Sequence, residues 1–148
     1  ITPMASAGIL GLGWASCGGE SAARLGERCV AVDGIQNVIR MLEEIETCRK
    51  MGVLVVVLDV PLLFEAGLSN LVDVTVCASA PEEKQIERLK TRSGLDREQA
   101  LGRIHSQWPL SEKECRSDII IYTDKPMEEL YREVHALYME WSKPESVF

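Results

Sequence analysis

The chain has 148 residues, 46% hydrophobic and 26% charged, with a formal net charge of −7. That length and composition predict one globular domain over 1–148 with an ordinary core. The acidic balance argues against a nucleic-acid partner, because such surfaces need a surplus of Lys and Arg to neutralise phosphates. Cys17, Cys29, Cys48, Cys77 and Cys115 are widely spaced and form no CxxC pair. Neither a zinc site nor a disulfide framework is indicated, and reduced thiols in a cytoplasmic protein are expected. No apolar run reaches the roughly 20 residues that cross a bilayer, and no basic segment followed by an apolar one opens the chain, so no membrane partner is expected.

Gly8 to Ser21, GILGLGWASCGGES, reads as a short apolar strand running into a glycine-rich loop. A glycine turn between strand and helix lets backbone N–H groups approach phosphates closely. A phosphate loop of the GxxxxGK[ST] type adds a Lys for the outer phosphates and a hydroxyl for Mg²⁺. Two registers are open. With Gly19 and Ser21 as the motif's last glycine and hydroxyl, Trp14 stands at the first glycine and Glu20 at the lysine. With Gly13 and Gly18 as the two glycines, Gly19 takes the lysine position and Glu20 the hydroxyl. Either register lacks the cation, and a carboxylate near triphosphate oxygens is repulsive. A tight glycine turn without a ligand is an equal alternative. A dinucleotide fold, from Gly11, Gly13 and a distant Asp33, ranks lower because Ser16 occupies its third glycine position.

Arg28 to Asp33 reads as a second short strand ending in an acid, which either accepts a proton from an attacking hydroxyl or caps the turn at Gly34. A helix over Gln36 to Lys50 follows almost at once, with an apolar stripe of Val38, Met41, Leu42, Ile45 and Cys48 and a stop at Gly52. Val53 to Glu65, VLVVVLDVPLLFE, is the most informative stretch. Its apolar, mostly β-branched run ends at Asp59, the pattern of a strand covered on both faces by helices. Ligands of such sheets sit beyond the carboxyl ends of the strands, where Asp59 and Glu65 fall.

Val72 to Ala78 gives a further strand. Ser79 with Glu82 forms a capping-box pattern opening a helix that carries Gln85, Arg88, Lys90 and Arg92. Ser93-Gly94 breaks it, and Asp96 with Gln99 opens the next helix, bearing Arg103, His105 and Gln107. Basic side chains on such a helix pair either clamp phosphates or pair with Glu83, Glu87 and Glu98 at the surface. His105 reads as a helix-surface residue, and Trp108 before Pro109 as a packed helix end. Ser111 with Glu114 predicts a short capped helix, Asp118 to Tyr122 a last strand, and Met127, Leu130, Val134, Leu137, Tyr138 and Trp141 the apolar stripe of a closing helix. Residues from Ser142 read as a loose tail.

DVPLLFEAGL, from Asp59 to Leu68, resembles the signature of dephospho-coenzyme A kinases. The likeness continues through Gln85, Arg88, Arg92, Ala100, Arg103, Gln107 and Asp118, over roughly the last two thirds of the chain. The resemblance implies an α/β fold of the P-loop kinase type. That is a three-layer α/β/α arrangement with a parallel sheet of about five strands and a small helical lid over approximately 88–117. It implies ATP and Mg²⁺ as cofactors and dephospho-coenzyme A as the partner whose ribose 3′-hydroxyl is phosphorylated. Carried onto this chain, Gly13, Gly18, Gly19, Ser21 and Arg88 would hold nucleotide, and Ser21 and Asp59 the metal. Asp33 would serve as base, and Arg92 and Arg103 would neutralise transition-state charge. The chain departs from the family at Glu20, at Gln36-Asn37 in place of His-Pro, at Thr123 or Asp124 in place of an Asn near the adenine, and after residue 34, where a helical substrate-binding segment is missing. A second reading is therefore a non-catalytic relative that binds nucleotide weakly or acts through protein contacts.

Overall fold

The computed structural model describes residues 8–13, 30–31, 35–60 and 62–143, with side chains from residue 38 onward. In chain order the elements are β1 (Gly8–Gly13), β2 (Val30–Ala31), α1 (Ile35–Lys50), β3 (Val55–Asp59), β4 (Val74–Ser79), α2 (Glu82–Ser93), α3 (Arg97–His105), α4 (Leu110–Arg116), β5 (Ile119–Tyr122) and α5 (Met127–Trp141). The strands form one parallel sheet in the order β2-β3-β1-β4-β5. The register sets Leu12 of β1 beside Asp59, and Ala31 of β2 beside Asp59 on the other edge of β3. The carboxyl ends of β1, β2 and β3 thus converge on one carboxylate. Only residues 32–34 separate β2 from α1.

The layers follow from the alternation in β3. Val56 and Leu58, with Val60 and Leu63 beyond the strand, pack against Met41, Ile45 and Cys48 of α1. Val55 and the half-buried Val57 point the other way, into a core with Val74, Val76, Ile121 and the α5 residues Leu130, Leu137 and Trp141. Successive strand side chains face opposite sides, so a strand apolar at both parities needs a helix on each face. Burying a side chain such as Leu58, 1% exposed, stabilises the fold by about 1.5–3 kcal/mol.

Two expected stripes are narrower than the sequence pattern. Leu42 is 44% exposed, because one residue past Met41 is a turn of about 100° around the helix. In α5, Met127, Val134 and Tyr138 are exposed, leaving Leu130, Leu137 and Trp141 as the packed face. Helix α1 stops where expected: Gly52 takes a left-handed φ of 72°, and the Val53 N–H closes onto the Cys48 carbonyl at 3.0 Å.

Helix starts divide in a similar way. Asp96 caps α3 with a full capping box, its side chain accepting from Gln99 N and the Gln99 side chain accepting from Asp96 N. Ser79 does not cap α2. It stays in β4, its hydroxyl donates to Glu114 at 2.5 Å, and Pro81 is the N-cap with no side-chain cap bond. Ser111 likewise lies inside α4, whose N-cap is Pro109, and its expected partner Glu114 is the one engaged by Ser79. Proline with its fixed φ opens both helices instead. The expected tail from Ser142 falls mostly outside the described residues.

Candidate active site

A cleft of about 1420 Å³ opens at the carboxyl ends of β4 and β5, walled by α2, α3 and the α3–α4 connection. Arg88, Arg92 and Arg103 all line it, as do Lys84 and Lys125. Arg88 and Arg92 are four residues apart and so share one face of α2. Arg103 comes from α3, which is set against α2 by a small core of Ile86, Leu89 and Ala100. Two side-chain contacts close the same junction: Arg97 forks onto Glu83 at 3.0 and 2.6 Å, and His105 Nε2 lies 3.0 Å from Glu82 Oε2. The Arg97 hydrogen bond holds the Glu83 carboxyl below its ordinary pKa. Glu87 meets Lys84 at 3.1 Å. The acids suspected of neutralising the cleft arginines thus include two, Glu83 and Glu87, that engage other bases.

Arg88 has a second task. Its Nη1 donates to Thr123 Oγ1 at 2.8 Å and its Nη2 to the Thr123 carbonyl at 2.9 Å. Thr123 also donates from its N–H and its hydroxyl to the Ser79 carbonyl, at 2.7 and 3.1 Å. One guanidinium therefore fixes the exit of β5 to α2, while Thr123 itself anchors to the end of β4. A planar fork of donors makes this possible, and Lys cannot reproduce it.

Asp59 lies at the carboxyl end of β3 and is not among the described residues lining the cleft. It is half-buried, and burial pushes its carboxyl pKa up. Desolvation disfavours the ionised form where it stands. Gly13 is the last residue of β1, just beyond the position level with Asp59. Gly18, Gly19, Glu20, Ser21 and Asp33 lie outside the described residues.

A family model described as dephospho-CoA kinase matches residues 35–129, from the start of α1 into α5. The chain belongs to the dephospho-CoA kinase family. It is 40% identical over 102 residues to the dephospho-CoA kinase of Geobacillus kaustophilus, covering 69% of this chain and 51% of that one. It is 37% identical over 105 residues to that of Bacillus licheniformis, covering 71% and 52%. A solved structure from Thermus thermophilus superposes with a TM-score of 0.60 at 33% identity, covering 71% of this chain and 54% of that one. The dephospho-CoA kinase of Campylobacter jejuni, at 23% identity, TM-score 0.50 and coverage of 72% and 52%, supports the fold alone. The fold is accordingly the P-loop kinase type. The chain spans about half the length of the curated relatives it matches. Among the candidate residues, Asp59, Arg88, Arg92 and Arg103 fall inside the matched range, whereas the glycine loop and Asp33 fall before it.

Within this dephospho-CoA kinase domain the structure adds a polar cluster that sequence reasoning missed. Lys113 of α4 is 3% exposed. Its Nζ lies 2.9 Å from Glu65 Oε1 and donates to Gln107 Oε1 at 2.8 Å. Glu65 Oε1 also accepts the backbone N–H of Trp108 at 3.1 Å. Beside the cluster, Cys77 is fully buried, and burial first, then the Glu114 carboxylate, push its thiol pKa up. Nothing in the sequence marks Lys113 among its charged neighbours. The signal available was Glu65, the lone charge in an otherwise apolar PLLFE run. Trp108 itself is partly exposed, with the Arg116 guanidinium 4.8 Å from its ring centroid.

Proposed function

We propose that the cleft at the carboxyl ends of β4 and β5 is the nucleotide site of an ATP-dependent phosphotransferase that acts on the ribose 3′-hydroxyl of dephospho-coenzyme A. The observation that carries this reading is the convergence of Arg88, Arg92 and Arg103 from two helices onto one cleft. Arginine forks match phosphate oxygens, and a helix pair hinged at Gly94, which takes a left-handed φ of 63°, lets nucleotide enter and leave. The donor set fits Mg²⁺ as well. That ion takes one or two carboxylates together with substrate phosphates and waters, and Asp59, a half-buried carboxylate at the carboxyl end of β3 and level with Leu12 of β1, suits it. Ser21 would supply a hydroxyl. In the transfer, the 3′-oxygen bonds to the γ-phosphorus, the bond to the β–γ bridging oxygen breaks, ADP leaves, and Asp33 takes the hydroxyl proton. A cytoplasmic location is consistent with the free thiols of Cys48, Cys77 and Cys115.

Glu20, with no Lys in either register of the glycine loop, supports a second reading, in which the chain binds nucleotide weakly and transfers slowly or not at all. A single-turnover assay with γ-labelled ATP and dephospho-coenzyme A separates the two. Label on the 3′-oxygen at an ordinary kinase rate supports the first reading and removes the second. No labelled product, from a chain whose melting ATP raises, supports the second. In that case Glu20→Lys alone is expected not to restore transfer, because the substrate segment after residue 34 is also missing.

A further inference from the structure

The Glu65–Lys113 pair is poorly built for stability. Both groups leave water, Lys113 almost completely and Glu65 to 15% side-chain exposure, and desolvating two ions often costs more than their attraction returns. The second Glu65 oxygen, Oε2, is buried with no hydrogen-bond partner among the described residues, which adds to that cost. Such a pair is better explained by the geometry it fixes. Glu65 follows β3, the strand that ends at Asp59. Its Oε1 reaches the backbone of Trp108, three residues past the end of α3, and the side chain of Lys113 in α4. Lys113 in turn holds Gln107. One carboxylate oxygen thus ties the α3–α4 connection to the carboxyl end of the sheet, and Arg103, Gln107, Trp108 and Lys113 all line the cleft. α3 is also attached to α2, through Ile86 and Leu89 and through Glu82 and Glu83.

We propose that Glu65 is a positioning residue: clamped to Lys113 and the Trp108 N–H, it holds the C-terminal hinge of the α3 segment against the sheet and thereby sets where Arg103 stands over the cleft. The link to catalysis rests on the kinase reading, whereas the hinge itself does not. The test is amide hydrogen exchange by NMR on the ligand-free chain, comparing the parent with Glu65→Leu combined with Lys113→Met, which removes both buried charges and keeps apolar volume. The expected result is exchange at Trp108 and across α3 faster by about tenfold, with the β4 amides Val74–Ser79 unchanged. Glu65→Gln retains an acceptor but not the charge, is expected to fold even if the double variant does not, and should show a smaller rise at the same amides. Unchanged exchange at Trp108 and α3, or an equal rise in α3 and β4, would overturn the proposal. An ATP titration of the same samples keeps the two ideas apart. If ATP fails to shift the parent's melting, the kinase reading fails, and the exchange pattern still decides the hinge. If ATP binds the parent, the double variant should bind it about tenfold more weakly with the sheet amides still protected.

Discussion

Removing the Arg88 guanidinium is the substitution whose outcome the structure specifies best. Arg88 makes two charge-assisted hydrogen bonds to Thr123, at 2.8 and 2.9 Å. Such bonds contribute about 1.5–3 kcal/mol each when well buried. Arg88 is half-buried, so solvent screening reduces that figure, and Thr123 keeps its two bonds to the Ser79 carbonyl. Thr123, whose carbonyl Arg88 serves, is only half-buried, so that carbonyl can turn to water and Arg88→Ala should cost about 2 kcal/mol in all. For a chain of this size that corresponds to a melting point lower by about 4–8 °C. Arg88→Lys can keep one bond but not the fork, and should lose about half as much. Differential scanning fluorimetry with and without Mg²⁺-ATP reads both effects. The upward shift caused by ATP should shrink in both variants, more in Arg88→Ala. A ligand-free Arg88→Ala chain melting within about 1 °C of the parent would refute the reasoning, since that is what an uncoupled surface position gives.

Three further outcomes are expected. Burial raises the Asp59 carboxyl pKa, so its ionised form opposes folding: relative to Asp59→Asn, stability is fully retained below the ordinary carboxylate pKa and lost as pH rises through the folded value. Asp59→Asn should accordingly melt higher than the parent at neutral pH, with the gain vanishing toward the unshifted value of 3.8. A lower melting point at neutral pH would mean that the carboxylate is paired. Leu58→Ala, which empties a site 1% exposed between the sheet and α1, should cost about 2–5 kcal/mol in urea unfolding. A loss below about 1 kcal/mol would contradict that packing. Thiol labelling of the folded chain, located by peptide mapping, should modify the exposed Cys115 well before Cys77, whose buried thiol is disfavoured as thiolate. Equal rates at the two sites would contradict that burial.

The layered sheet was legible because β3 is apolar at both parities, a pattern that only a strand between two helical layers satisfies. The α3 start was legible for the same kind of local reason: Asp96 and Gln99 complete their capping box within four residues. Errors came where a side chain's partner lies far off in sequence. Ser79 and Glu114 each looked like a helix cap, yet they bond to each other across 35 residues. Thr75, a polar residue inside β4, is buried, its hydroxyl and N–H both satisfied at 2.8 Å by Asp118, 43 residues on. Lys113 was unreadable because a lysine on a short polar helix ordinarily faces water, and only the return of α4 onto the segment after β3 places it beside Glu65. The cleft arginines were named from the motif, but the bond from Arg88 to Thr123 depends on where β5 ends relative to α2. The glycine loop, Glu20 and Asp33 lie outside the described residues.

The central claim is that this cleft holds a nucleoside triphosphate, and a thermal melt of the purified chain with and without Mg²⁺-ATP tests it most directly. A ligand that binds only the folded state at 100 times its dissociation constant adds about 2.7 kcal/mol of stability. The account predicts a cooperative melt moved upward by ATP, with the shift reduced when Arg92 and Arg103 are both changed to Ala. A melt that saturating Mg²⁺-ATP leaves unmoved would contradict it.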